Sequence, residues 1–212
     1  MTITVLKQTS RFKDPLVYAG IFSATLFLYV LTLCPTVAGG DSGELTVVAL
    51  KHGIAHPPGY PLYSFLSWLF TLLPWGEPAA RVNFFSALCG AGAATCLAGA
   101  VKQATRDWAA AILSAGLFAT LPLVWDYAVV AEVFALNNLI FALFLWAATR
   151  AIQTKSTSAC TLQFLAFLTG LGATHHPTFL FAALPLVWIG LKGAPLRKLL
   201  APLMLGFTPI LY

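Results

Sequence analysis

Long apolar runs separated by short polar breaks set the pattern of this chain. Seven stretches approach the roughly 20 residues that a membrane helix needs: Leu16–Cys34, Val82–Val101, Trp108–Val124, Val133–Thr149, Thr161–Thr174, Pro177–Leu191 and Leu199–Tyr212. The fifth and sixth are short, which fits tilted or broken helices. The seventh runs to the last residue without a polar stop, so the chain reads as the N-terminal part of something longer. The pattern predicts an all-α polytopic membrane protein with about seven transmembrane helices. Residues 1–212 form one transmembrane module in this reading, with 1–15 on the cytoplasmic side and 35–81 as the first extracytoplasmic loop.

That loop is the only long break, and its own pattern predicts partial helicity. Leu45, Val48 and Ala49 share a face, so Ser42–His52 reads as a short helix with Gly53 as its C-terminal stop. Tyr60–Leu73 is apolar and aromatic but short for a span. It reads as an interfacial or re-entrant helix, and Trp68 and Trp75 suit the headgroup level. The second span is rich in small residues (Ala87, Gly90, Ala91, Gly92, Ala94, Gly99), which let helices approach closely in lipid.

Composition agrees. The chain is 59% hydrophobic and 9% charged, with a mean hydropathy of +0.83, whereas soluble domains carry about 25% charged residues. A soluble fold is excluded. The basic start is followed by a run too long for a signal-peptide core, so the first span is read as retained. Loops on one side hold Lys7, Arg11, Lys13, Lys102, Arg106, Arg150, Lys155, Lys192, Arg197 and Lys198; the other side holds Lys51 and Arg81. Ten against two predicts a cytoplasmic N-terminus. The net charge of +5 is scattered and forms no basic stripe, which argues against nucleic acid. Cys34, Cys89, Cys96 and Cys160 have no metal-ligand spacing.

Against this background the polar residues of the first loop stand out. Asp41-Ser42-Gly43-Glu44 is followed by His56-Pro57-Pro58-Gly59-Tyr60-Pro61. Asp41 with Glu44 three residues on resembles a capping box. The same carboxylates at a membrane surface suit a general base or a metal ligand, and a helix start is a rigid mount for either. The prolines bias His56 towards extended backbone, where it faces water or contacts a phosphate. Lys51 and Arg81 are the outer cations; they assist His56 or merely snorkel. Trp125 and Tyr127 fit an aromatic belt, Asp126 a solvated charge, and Glu132 a helix start favoured by the dipole. His175-His176-Pro177 closes a tight hairpin, and adjacent histidines diverge too far to make a good metal pair. What lifts the functional reading is convergence: four segments place Asp41, Glu44, His56, Glu132 and His175 on one face, as a polar cleft over a helical bundle. The cofactor is left open. A divalent metal is conceivable, but two carboxylates without a third ligand do not assign one.

The runs Gly40-Asp41-Ser42-Gly43-Glu44, Gly53-Ile54-Ala55-His56-Pro57-Pro58-Gly59-Tyr60-Pro61-Leu62 and Arg81-Val82-Asn83 then acquire a further meaning. Together with Trp125, Glu132-Val133-Phe134-Ala135-Leu136-Asn137 and the histidine pair before Pro177, they resemble the membrane family first catalogued as domain of unknown function 2723. That family includes the transmembrane protein 260-like protein O-mannosyltransferases. The resemblance covers most of the chain. It implies a GT-C class glycosyltransferase module with a polyprenyl-phosphate sugar donor and a protein or glycan acceptor. By it, Asp41 is the catalytic acid/base residue and Glu44 a supporting carboxylate, with His56 and Arg81 near the donor phosphate.

The chemistry fits these residue types. Sugar transfer needs a base for the acceptor hydroxyl and positive or hydrogen-bonding groups where phosphate charge develops. Lys51 joins His56 and Arg81 in the second role, and Tyr60, Glu132, His175 and His176 complete the candidate substrate-binding set. Two other classes compete. A transporter buries charge near the bilayer midplane, and the apolar runs hold none there. A non-catalytic assembly subunit stays open, because capping also explains Asp41 and Glu44.

Overall fold

The computed structural model describes residues 2–153, 158–181 and 197–211. Its regular elements are helices: α1 (Thr2–Leu31), α2 (Ser42–Lys51), α3 (Pro61–Thr71), α4 (Pro78–Thr105), α5 (Trp108–Thr120), α6 (Pro122–Ala128), α7 (Val133–Gln153), α8 (Ala159–His175) and α9 (Arg197–Gly206), then a 3-10 turn at Thr208–Leu211. The chain is an all-helical integral membrane protein. Among the described residues three helical stretches are long and apolar enough to cross a bilayer: Asp14–Leu31 of α1, all of α4 and all of α7. A fourth crossing arises if α5 and α6 act as one broken span.

Among the described residues, three or four of the seven expected spans are shown. The expected Trp108–Val124 span breaks between α5 and α6 with a bend of 70°. The cause is local. Pro122 opens α6 at its first turn, and Leu121 before it is driven out of the helical region to φ −60°, ψ 128°. α8 has 17 residues, short for a crossing. The expected Pro177–Leu191 span lies mostly outside the described residues, as do Lys155 and Lys192. Leu199–Tyr212 is interrupted after Gly206, where α9 gives way to the 3-10 turn.

α4 is the centre of the packing, touching α1, α2, α3, α5, α6 and α7. Its small residues explain how. A Cβ at Gly90 would lie 2.9 Å from both Ala128 and Tyr29, and one at Gly99 would lie 2.5 Å from the Trp146 ring. Neighbours occupy the space that a side chain would need. Tyr29 is fully buried there and donates from its hydroxyl to the Ala119 carbonyl at 2.9 Å, tying α1 to α5.

The 35–81 segment is folded onto this bundle. Leu45, Val48 and Ala49 of α2 are buried with Tyr63 of α3, Val82 and Phe85 of α4, and Val133 and Leu136 of α7. α3 starts on Pro61, whose fixed φ suits a first helical position. Its buried Ser64 and Ser67 donate back to the Tyr60 and Tyr63 carbonyls, so both serine hydroxyls are satisfied. Asn83 on α4 is fully buried and donates to the carbonyls of Cys34 (2.7 Å) and Thr36 (3.0 Å), which fixes the start of the segment. α2 ends as expected, except that His52, not Gly53, takes the left-handed position, at φ 53°.

Candidate functional site

The polar cluster forms where the start of α2, the 52–60 loop, the start of α7 and the end of α8 meet. Its first surprise is Asp41. The residue does precede α2, but at φ −80°, ψ −3°, and its carboxylate caps nothing. A side-chain cap needs extended backbone at the capping residue. Asp107 shows the contrast: at φ −111°, ψ 127° it accepts from the Ala109 and Ala110 amides at the start of α5. The capping box expected at Asp41 and Glu44 therefore does not form. Both carboxylates turn instead towards His56.

Glu44 is fully engaged. One carboxylate oxygen accepts the His56 backbone N–H at 2.6 Å and the other lies 3.1 Å from His56 Nδ1. Those contacts, the backbone one foremost, hold the Glu44 carboxyl below its ordinary range. Asp41 is not so engaged. Its carboxylate is 56% exposed, and its ion-pair partner among the described residues is His56 Nε2 at 3.8 Å, beyond hydrogen-bond reach. Ligand atoms of Asp41, Glu44 and His56 all lie within 4.8 Å of one another. A hydrogen-bonded carboxylate keeps free lone pairs, so the three side chains offer a cation up to three ligand atoms, and no ion is assigned to them.

Tyr60 closes the cluster from the α3 side. It takes a left-handed conformation at φ 46°, uncommon for a bulky residue, and is buried to 6% exposure. Its ring meets His56 edge-on at 5.4 Å and stacks on His176 at 6.0 Å with the planes 13° apart. Burial first, then the charges of Asp41, Glu132 and Glu44, push its phenol above the ordinary range. Behind it, His176 rests against Phe134 and Phe134 stacks on Tyr127, a row of rings leading from the cluster to α6.

Glu132 joins from the residue before α7. It is 8% exposed, its backbone N–H reaches Ser86 on α4, and its carboxyl is pushed up by burial and then by Asp41. Gly40 passes close by at φ 67°; a Cβ there would stand 3.8 Å from a Glu132 carboxylate oxygen. His175 is fully buried and its Nε2–H donates to the Val133 carbonyl at 3.1 Å. Burial pushes its pKa down to about 4, so it is a neutral strut between α8 and α7. His176 Nδ1 accepts the Thr178 amide, and burial lowers its pKa.

So Asp41, Glu44, His56, Tyr60, Glu132, His175 and His176 come together, while two candidates stand apart. Arg81 Nε, Nη1 and Nη2 donate to the carbonyls of Trp75, Thr71 and Gly76. That places Arg81 at the far end of α3 from Tyr60, roughly 15 Å away at the helical rise. Lys51 is exposed in the last turn of α2, a similar distance from Asp41. Phe134 and Tyr127 belong to the surroundings of the cluster, although the sequence suggests only an aromatic belt for Tyr127 and a place in a motif for Phe134. Beside the cluster, a cavity of about 550 Å³ lies between the 52–61 loop and α8, lined by residues that include His52, Ile54, Pro58, Pro61 and Thr174.

Comparison with known proteins agrees with these motifs. Residues 41–194 match the family described as protein O-mannosyl-transferase TMEM260 N-terminal domain. Protein O-mannosyl-transferase TMEM260 of Mus musculus is 37% identical over 193 residues, covering 89% of this chain and 27% of the mouse protein. The Dictyostelium discoideum protein of that name is 31% identical over 179 residues, covering 78% of this chain and 22% of its own length. The chain thus spans about a quarter of the length of these curated relatives. No solved structure gives a significant match. With its matched region beginning at Asp41 and taking in the whole cluster, the chain belongs to the protein O-mannosyl-transferase TMEM260 N-terminal domain family.

Proposed function

We propose that this chain forms the membrane module of a glycosyltransferase that moves a sugar from a polyprenyl-phosphate donor to a hydroxyl acceptor on a protein or glycan. The reaction takes place on the extracytoplasmic side, and Asp41 is the general base. The observation that carries the assignment is the difference between the two carboxylates. Both oxygens of Glu44 are held by His56, while the Asp41 carboxylate in the same cleft is exposed and has no hydrogen-bond partner among the described residues. A base must be free to meet a hydroxyl that is not yet there. Asp41 meets that requirement, and Glu44 serves by holding the loop.

The surroundings suit such a reaction. The cleft lies over apolar helices, and the adjacent cavity beside the 52–61 loop offers an isoprenoid chain an apolar wall next to polar groups. The kinship with named protein O-mannosyl-transferases supports the reaction class. The test is Asp41→Asn in the full-length protein, assayed for glycan transfer to its native acceptor. Loss of about 10²-fold or more in rate is expected. Transfer at the wild-type rate with equal expression would remove the assignment.

A further inference from the structure

His56 stands in a particular chemical position between its two acidic neighbours. Ionised Glu44 only accepts hydrogen bonds, so the 3.1 Å contact puts the ring proton on Nδ1. The backbone bond from His56 N–H to the same carboxylate fixes where the ring starts, and the contact at Nδ1 fixes its rotation. In the neutral ring Nε2 is then the lone pair, and it faces Asp41 Oδ2 at 3.8 Å. Two acceptors confront each other across a gap with no proton between them. Since 3.8 Å is well under twice a hydrogen-bond length of about 2.8 Å, one hydroxyl oxygen can lie within reach of both.

We infer that His56 is the proton partner of Asp41, a positioning and proton-accepting residue oriented by Glu44, and not a contact for the donor phosphate. The inference rests on the sugar-transfer reading above. In the step, the acceptor oxygen attacks the sugar anomeric carbon as its proton passes to the Asp41 carboxylate. The bond from that carbon to the donor phosphate oxygen breaks, and its electron pair stays on the phosphate. The proton then moves from Asp41 to His56 Nε2, which leaves an imidazolium between two carboxylates and a regenerated base. The exposed edge of His56 releases it to water; the side chain is 38% exposed.

Acidic groups crowd this place. The titratable groups facing His56 are Asp41 and Glu44 at the start of α2, Glu132 before α7 and Tyr60 before α3, with His175 and His176 beyond the Tyr60 ring at the end of α8. Three of these are carboxylates, and both ion pairs of the cluster run to His56. Glu44, held below its ordinary range, keeps its negative charge through the cycle.

The experiment uses the full-length protein and compares His56→Gln, His56→Ala and Asp41→Asn, each checked for folding by size exclusion. Glutamine keeps an N–H for Glu44 but carries no extra proton. His56→Gln is expected to lower kcat about 10–10²-fold, with the donor KM changed by less than about twofold. Its acidic limb in the kcat–pH profile should differ from that of wild type, because a carboxylate alone replaces the pair. Added imidazole should restore part of the kcat of His56→Ala. A raised donor KM at unchanged kcat would identify a phosphate contact and overturn the inference. An unmoved pH limb with no imidazole rescue would make His56 a structural residue and overturn it equally. Asp41→Asn separates the two levels: if it is fully active the assignment of Asp41 as base falls and the proton-partner role falls with it, and if it is inactive while His56→Gln behaves as wild type, only the proton-partner assignment falls.

Discussion

Glu44 holds His56, twelve positions further on, twice: at the backbone N–H and at ring Nδ1. This single side chain ties the first turn of α2 to the segment that leads into α3. It also gives stability a pH dependence of known sign. The folded carboxyl lies below its ordinary range, so the unfolded chain binds more protons as pH falls through that window. The contribution is present above the ordinary carboxylate pKa and is lost as pH falls through the lowered folded value. Thermal unfolding in detergent should therefore show wild type more stable than Glu44→Gln at neutral pH, with the difference shrinking towards pH 3. A difference that stays constant over that range would show that the charge of Glu44 is not what holds the loop.

Glu132 carries the opposite sign. Burial and then Asp41 raise its carboxyl, so the folded chain binds the proton more tightly than the unfolded one. Its contribution is present below the ordinary carboxylate pKa and is lost as pH rises through the raised folded value. Glu132→Gln mimics the protonated form and should be more stable than wild type near neutrality, with the two converging at acidic pH. Asp41→Asn should move the wild-type dependence to lower pH, since it removes one of the two causes. Identical pH profiles for wild type and Glu132→Gln would contradict the assignment.

Arg81 is expected to behave as a structural residue. Its guanidinium gathers three carbonyls at the end of α3 and in the turn before α4, a fan that lysine cannot reproduce. Arg81→Lys should lose roughly 2 kcal/mol of stability, as charged hydrogen bonds of this kind contribute, and leave the donor KM unchanged. A raised donor KM with unaltered unfolding would restore the phosphate role that the resemblance implies.

Periodicity made the helices legible, because in lipid every backbone group must be paired within the segment and the apolar runs mark where that happens. The face of Leu45, Val48 and Ala49 was read correctly for the same reason. Residue types alone could not say which of two local geometries Asp41 adopts. Acidic residues precede both α2 and α5, yet only Asp107 has the backbone that lets its side chain cap. The break at Leu121-Pro122 had a readable cause in the proline, hidden by the hydrophobicity on either side. The gathering of His176, Tyr60 and Glu132 rests on contacts between residues up to 116 positions apart in the chain. Such contacts leave little local trace beyond a shared side of the membrane.

The orientation of the module in the bilayer is the prediction on which the placement of the whole site depends. Ten cations against two predict an N-terminus inside and an Asp41 cleft outside. Ser42 looks suitable for cysteine labelling from its place in the loop, but it is fully buried and accepts the Ala38 amide. Ile54 is the better position, at 86% exposure on the same loop as His56. Thr105, exposed at the last turn of α4, reports the opposite side. The background must lack Cys34, Cys89, Cys96 and Cys160, the last of which is exposed and would label by itself. In intact cells or sealed vesicles of known orientation, a membrane-impermeant thiol reagent should modify Ile54→Cys at once, and Thr105→Cys only after permeabilisation. The reverse result would put the cleft on the cytoplasmic side. The donor would then have to be reached from that side, and the extracytoplasmic reaction proposed here would have to be abandoned even if Asp41 proved essential.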